Sequence, residues 1–190
     1  MSRRKDGRAW AQWIEATREQ ARASGRALAM DLYHRRETAV RPYRVGLVLG
    51  AYEKVWAEVP VQFNLDFAPP ARPNGPVVPP QIRPWLVTSE RVVGRLLDDR
   101  LHGYRWESVV GARVDLATGR EAVTLDIENE PTLIWSGPGV APMAVAAVFH
   151  LYGPVAMIEH PGLVPLRLPS GDPGYSGEQG YGGTYAGDGQ

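Results

Sequence analysis

The 190-residue sequence contains no cysteine, only four histidines and no long uninterrupted hydrophobic run. Without cysteine there is no disulfide framework, no thiol nucleophile and no cysteine-based zinc site. The longest weakly polar stretch, Val140 to Tyr152, is too short to span a bilayer, and the charged start MSRRKDGR does not resemble a secretory signal. We therefore expect a soluble cytoplasmic protein, with peripheral membrane association as an alternative.

The sequence also lacks a recognisable catalytic motif. The histidines are far apart and none lies in an HExxH-type spacing: His34, His102, His150 and His160. We interpret His150 as a hydrogen-bonded residue at a helix boundary, and Asp98 and Asp99 as a solvated turn. The segment GPGVAP, Gly137 to Pro142, opens a helix but lacks the third glycine and the lysine of phosphate-binding loops. We predict a non-enzymatic protein without cofactor or metal.

Charge is divided unevenly along the chain although the formal net charge is zero. Residues 1–45 contain eleven Arg or Lys against five Asp or Glu, whereas the rest contains ten against sixteen. The first part is therefore about +6 and the remainder about −6, which favours contact between the two parts.

A long amphipathic helix is predicted from Ala9 to about Glu37, a segment without proline. Apolar or small residues recur at steps of three and four, at Trp10, Ile14, Thr17, Ala21, Ser24, Leu28 and Leu32. Gly25 weakens the middle of this helix and is a candidate point of division. Arg18, Arg22 and Arg26 form a basic row, which is either a solvated face or an anion-binding patch.

Alternation of period two then indicates strands. Between Tyr52 and Phe67 the odd positions are apolar and most even positions are polar, so Trp56 falls on the polar side and is expected to be exposed or covered by the N-terminal helix. A strand this long must bend, and Pro60 is the expected place. A Pro-rich loop follows, from Pro69 to Pro84. Turn residues then separate six short strands: Trp85 to Val87, Val92 to Leu96, Gly103 to Trp106, Val109 to Leu116, Ala122 to Ile127 and Thr132 to Ser136.

The last predicted element is an apolar helix from Ala141 to Tyr152, ended by Gly153-Pro154. We divide the chain into a basic helical extension (1–44), a strand-rich domain with its closing helix (45–153), an irregular extension (154–169) and a disordered Gly/Tyr-rich tail (170–190). The tail should be mobile in the isolated protein, because its composition offers too little aliphatic surface to fold.

Three segments resemble bacterial pleckstrin-homology-like (PH-like) and GRAM-like domains. WLVTSERVVGR is similar to the family's Leu-x-Thr-(Asp/Ser)-x-Arg hairpin, YRWESVVGARVDL to its aromatic strand, and LIWSGPGVAPMAVAAVFHLYG to its last strand and closing helix. The resemblance covers roughly Val45 to Tyr152. It implies an α+β, mainly β fold: an antiparallel barrel of about seven strands closed by a C-terminal helix. It also implies a binding scaffold without chemistry of its own. The long N-terminal helix departs from the family, and the first loop holds only Arg72 and Arg83, which weakens a phosphoinositide-binding interpretation.

The candidate partner-binding residues are Trp10, Trp13, Ile14, Arg18, Arg22, Arg26 and Trp56. We interpret the two N-terminal tryptophans as anchors on another surface, and we expect their removal to loosen the helix more than removal of Arg18 and Arg22. Because a helix of some twenty-five residues exceeds what a small barrel covers, an intermolecular contact is favoured. The leading hypothesis is a non-catalytic module that binds proteins or itself. Binding of anionic membrane or nucleic acid through the basic N-terminal segment is the second hypothesis, and an enzyme of unrecognised type the third.

Overall fold

The computed structural model describes residues 3–36, 48–65, 81–96 and 100–167. The predicted disordered tail and most of the predicted Pro-rich loop lie outside the described residues. Within them the α+β architecture is confirmed: a long N-terminal helix, a seven-stranded antiparallel sheet and a C-terminal helix.

Helix α1 spans Arg3–Tyr33 and is continuous across Gly25, so this glycine does not divide it. Gly25 is instead buried where α1 crosses the start of the C-terminal helix. A Cβ atom added there would lie 3.3 Å from the backbone carbonyl carbon of Ala141 and 3.3 Å from the side chain of Leu166. The missing side chain therefore allows the two helices to approach closely.

The sheet contains strands β1 (Val55–Leu65), β2 (Ile82–Thr88), β3 (Arg91–Arg95), β4 (Leu101–Arg105), β5 (Val109–Asp115), β6 (Ala122–Ile127) and β7 (Leu133–Ser136). Their order is β4-β3-β2-β1-β7-β6-β5, and every neighbouring pair is antiparallel. All seven strands were predicted. Two differences in bounds bear on the predictions. Strand β2 begins at Ile82, so the last residues of the predicted Pro-rich loop belong to a strand. Trp106 begins a short 3-10 turn (Trp106–Ser108) and does not end β4.

The predicted barrel is not closed, because β4 and β5 remain the two edges of the sheet. These edges are nevertheless joined by only three residues, which span at most roughly 14 Å from Arg105 to Val109. A flat sheet of seven strands would be about 29 Å wide, so this sheet must curl strongly. A 3-10 segment (Pro161–Leu166) lies along β5: a Cβ atom at Gly162 would lie 2.6 Å from the carbonyl oxygen of Val114. That segment, and not β4, covers β5.

Helix α2 spans Ala141–Glu159 with a break at Gly153, whose φ of 79° is not helical. The first part matches the predicted helix, and its residues Ala141 to Val148 are buried between the sheet and α1. The predicted irregular extension is incorrect for residues 154–167. The chain resumes a helix after the break and then forms the 3-10 segment, which buries Met157, Leu163 and Leu166.

Alanine at position 94 should destabilise the protein, because its Cβ atom would overlap the indole ring of Trp85. The distance between this Cβ atom and Cε2 of Trp85 would be 2.7 Å. Trp85 is fully buried and has no room to shift. We expect Gly94→Ala to lower the free energy of unfolding by about 1–3 kcal/mol, measured by urea denaturation. Gly103→Ala is the matched control, since its added Cβ atom would make ordinary contacts from 3.5 Å outward. Equal stability of the two variants would contradict this packing argument.

Candidate interaction site

Arg18 is not part of a solvated basic row. Its side chain is buried and donates hydrogen bonds to the carboxylates of Glu121, which is also buried, and Glu15. The bond to Glu121 outweighs desolvation and keeps the pKa of Arg18 above its ordinary value. Arg18 therefore ties α1 to the loop that precedes β6, and the prediction that it binds a partner finds no support in this arrangement.

The other two arginines of the row are also largely occupied or partly covered. The Nη2 atom of Arg22 donates to the carbonyl oxygen of Leu116 and to Oγ1 of Thr118, both at 3.2 Å. Arg26 is half-buried. The row therefore faces the protein's own β5–β6 turn more than it faces solvent.

The N-terminal part of α1 has the opposite character. We call residues 7–17 the projecting segment, because all of residues 7–16 are exposed except Ile14, which is half-buried. Trp10 and Trp13 are 54% and 38% exposed, and their rings stack on each other with centroids 4.8 Å apart. Three of the predicted partner-binding residues thus lie together on a helix that leaves the body of the domain.

Trp56 is buried and contacts α2, whereas the sequence predicted that it would be exposed or covered by the N-terminal helix. The pairing of β1 with β2 shifts between Val55 and Ala57, so Trp56 is the extra residue of a β-bulge. The bulge reverses the alternation of the strand and turns Trp56 towards α2, where it contacts Phe149 and stacks on His150. The irregularity in the strand therefore lies at Trp56, four residues before Pro60, where the bend was predicted.

His150 lies between two indole rings. Its imidazole stacks on Trp56 with centroids 5.3 Å apart and on Trp106 at 5.0 Å. Its Nε2 atom has no hydrogen-bond partner, so the predicted hydrogen-bonded boundary residue is instead held by stacking. Burial lowers the pKa of His150 to about 4, and the imidazole is therefore neutral at pH 7.

The TSER turn that resembles the family hairpin is built around a carboxylate that the sequence did not reveal. Glu53 accepts hydrogen bonds from Oγ1 of Thr88 at 2.7 Å and from Arg91 at 2.9 and 3.0 Å. Burial alone would raise the pKa of Glu53, but the bonds from Arg91, the Gly50 amide and Thr88 lower it. The Thr and Arg of the motif therefore lock the hairpin to the start of β1, which is a structural role.

The outer face of β1–β4 carries a groove of about 220 Å³. Its floor is apolar, and its lining includes Leu86, Val93, Leu101, Glu58, Arg83 and Arg95. Burial raises the pKa of Glu58 in this groove. The groove adjoins strand ends whose connections lie outside the described residues, and we assign no ligand to it.

A second exposed apolar surface lies at the end of α2. We call it the α2 patch and define it by Tyr152, Val155, Ile158 and Val164, which are 48%, 65%, 38% and 49% exposed. Helix α2 is long and apolar enough to cross a membrane by length and composition, but half of it is buried inside the domain. We interpret α2 as a core helix whose last turns remain uncovered.

Among the described residues, side chains that could catalyse a reaction or bind a metal ion do not gather at one place. No group of three His, Asp or Glu side chains there is placed to hold a metal ion. The glycines of GPGVAP have structural roles: a Cβ atom at Gly139 would lie 2.7 Å from Cδ of Pro60, and Gly137 has a φ of 118°, which favours glycine. Asp98 and Asp99 lie outside the described residues. The arrangement thus offers contact surfaces, of which the projecting segment is the most exposed.

Comparison with known proteins adds no family to these observations. No family model matches the chain, and no curated protein matches it.

The sequence led us to expect that the two tryptophans stabilise the docked helix more than the arginines do. Because Arg18 is buried and the tryptophan rings are exposed, we now predict the opposite order. Arg18→Met leaves the buried Glu121 carboxylate without its partner and should lower the free energy of unfolding by about 3 kcal/mol. Trp10→Ser with Trp13→Ser removes exposed rings and should cost less than about 0.5 kcal/mol.

Arg120→Met, which removes the exposed pair with Asp115, is the matched control for Arg18→Met and should cost less than about 1 kcal/mol. Urea denaturation measures all three variants. A larger loss for the tryptophan variant than for Arg18→Met would restore the order expected from the sequence.

His150 should make the protein less stable in mild acid. The unfolded chain takes up this proton near pH 6.5, whereas the folded protein takes it up only near pH 4. The free energy of unfolding therefore decreases as the pH falls between these two values. His160, whose pKa is also lowered by burial, adds to the loss in the same direction.

His150→Phe keeps the stacking and removes the proton, so its stability should change less between pH 7 and about pH 5 than that of the wild type. His160→Phe serves as the comparison, and the nuclear magnetic resonance titration of His150 gives its pKa directly. A measured pKa above 6.5 would show that attraction of the imidazolium to the two indole faces outweighs desolvation.

Proposed function

We propose that this protein is a non-catalytic PH-like interaction module that binds a protein surface through the projecting segment of α1. The observation that carries the proposal is the exposed, stacked pair Trp10 and Trp13 on a helix that is otherwise docked. Exposed tryptophans are the residues most enriched among those that dominate binding energy at protein interfaces.

The PH-like part of the proposal is supported by topology and by one motif. Seven antiparallel strands followed by an apolar helix occur in the order that the resemblance implies, although the sheet is not closed. The Thr88 and Arg91 positions of the hairpin motif both bind Glu53, which gives the motif a physical reason.

The length of the projecting segment also supports a partner. Residues 7–16 extend the docked part of α1 by almost three turns and receive almost no tertiary cover. A surface that covers Trp10, Trp13 and Ile14 would stabilise the helix and remove the exposed rings from water. Each indole fully buried contributes about 2–3 kcal/mol.

Binding of anionic membrane or nucleic acid is less favoured, because Arg18 and Arg22 are engaged inside the protein. The remaining cations of the basic N-terminal part of the chain are Arg3, Arg4, Lys5 and Arg8, together with the half-buried Arg26. A binding mode dominated by these charges would weaken steeply with salt, whereas one dominated by the indole pair would not.

Affinity capture from the native cell with the full chain tests this proposal. We expect proteins that bind the wild type to be lost with Trp10→Ser/Trp13→Ser and retained with Tyr52→Ser. Tyr52 is 89% exposed elsewhere on the surface, which makes it a matched aromatic control. The bound fraction should persist when the salt concentration is raised.

Two results would contradict the proposal. One is capture that is identical with and without the tryptophan pair. The other is binding of the purified chain to anionic vesicles or nucleic acid that disappears at high salt and depends on Arg3, Arg4 and Lys5.

A further inference from the structure

The apolar stripe of α1 continues past the surface that it covers. Trp10 and Ile14 lie on the same stripe as Ala21, Leu28 and Leu32, at steps of four or seven residues. The last three are buried against the protein's own core, but Trp10 is 54% exposed and Ile14 is only half-buried. One interface stripe is therefore partly covered within the chain and partly left open.

The covering surface also continues past α1. The 3-10 segment contacts α1, since Leu166 lies against Gly25, and it carries the exposed Val164. The rest of the α2 patch lies in the last turns of α2, just before this segment. The 3-10 segment thus contacts α1 through Leu166 and leaves one residue of the α2 patch, Val164, uncovered.

We infer that the projecting segment of one copy of this chain docks on the α2 patch of a second copy. The inference rests on the proposed function and names its partner. The segment does not cover the patch of its own chain, because residues 7–16 and the four patch residues are exposed together in one folded chain. A second copy supplies the same patch in a position that the segment can reach.

Charge complementarity favours this occupant. The N-terminal ends of two copies would repel each other, because Arg3, Arg4, Lys5 and Arg8 outnumber Asp6 and Glu15 in residues 1–17. Residues 46–190 are net negative by about six charges, although at the α2 patch itself the exposed Glu159 is offset by Arg167, which donates to the carbonyl oxygen of Ile158. The N-terminal end of one copy is therefore attracted to the strand-rich body of another and not to a second N-terminal end.

The exposed apolar area is large enough for a specific interface only if each copy both inserts its own segment and accepts the segment of the other copy. Two half-exposed indoles present on the order of 200 Å², and the four patch side chains present a similar or somewhat larger area. Two such contacts remove about 1,000 Å² from water, near the minimum for a specific interface. A two-fold pair, in which each copy gives a segment and accepts one, meets this requirement and closes on itself. Its affinity should lie at the weak end, on the order of micromolar.

The absence of cysteine makes disulfide trapping a clean test, because introduced thiols have no background. Ala9→Cys places a thiol beside the tryptophan pair, and Ala156→Cys places one beside Val155; both alanines are exposed. Full-length chains with one change each, distinguished by a size tag, are mixed and mildly oxidised. Ala51→Cys is the matched control at an exposed alanine away from both surfaces.

We expect the product joining positions 9 and 156 to exceed the product joining 9 and 51 by about tenfold, since docking raises the local thiol concentration. Adding Trp10→Ser/Trp13→Ser to the Ala9→Cys chain should remove this excess. Sedimentation of the wild type should show association that increases with concentration and is lost in Val155→Lys/Ile158→Lys.

Equal yields of the two products, or a product joining two copies through position 9 in excess of both, would overturn the inference. A wild-type chain that stays monomeric at all concentrations would also overturn it. If these results appear while capture of another protein still depends on the tryptophan pair, the proposed function stands and only the second copy is excluded. If capture shows no such dependence, the proposed function fails as well.

Discussion

The fold depends on the burial of the first half of α2. Residues 141–148 are almost fully enclosed, and none of them has a nitrogen or oxygen atom in its side chain. A helix satisfies its own backbone hydrogen bonds, so it can be buried on every side, but no single surface can cover it. The curled sheet covers one side and α1 covers another. The N-terminal helix is therefore part of the core: Ala21, Leu28 and Leu32 belong to the same apolar cluster as α2.

Local periodicity was sufficient to predict the elements. Alternation of period two located β1, and apolar runs between turn residues located the shorter strands. Burial alternates in β6 and β7 but not in β2, where four consecutive residues are buried. The helix of α2 was predictable from its length and apolar composition, and Gly153 was correctly identified as the point of interruption. The continuation beyond Gly153 was missed because Pro154 is compatible with the first turn of a new helix.

Interactions between distant residues were not predictable from the pattern. The bulge at Trp56 changes no local signal, yet it reverses which face of β1 is buried at that point. Arg18 and Glu121 are 103 residues apart, so their buried pair could not be distinguished from two solvated charges. The open edge between β4 and β5, and the packing of the 3-10 segment on Val114 of β5, likewise involve residues that are distant in the sequence. In the candidate site, the spacing of apolar residues identified Trp10, Trp13 and Ile14. It did not indicate that these residues lie on an exposed part of α1 while the arginine row faces the domain.

This separation divides α1 into two parts with different physical roles. Arg18 is the first buried residue among the described side chains of the helix, counted from residue 7, and its bond to Glu121 fixes α1 to the domain at this point. The docked part also provides the helical nucleus, so each earlier residue adds a hydrogen bond without the cost of a new nucleus. Orientation and helicity of the projecting segment therefore come from the core, whereas its exposed rings contribute almost nothing to folding. A surface arranged in this way can change its side chains, and with them its partner, without loss of the fold.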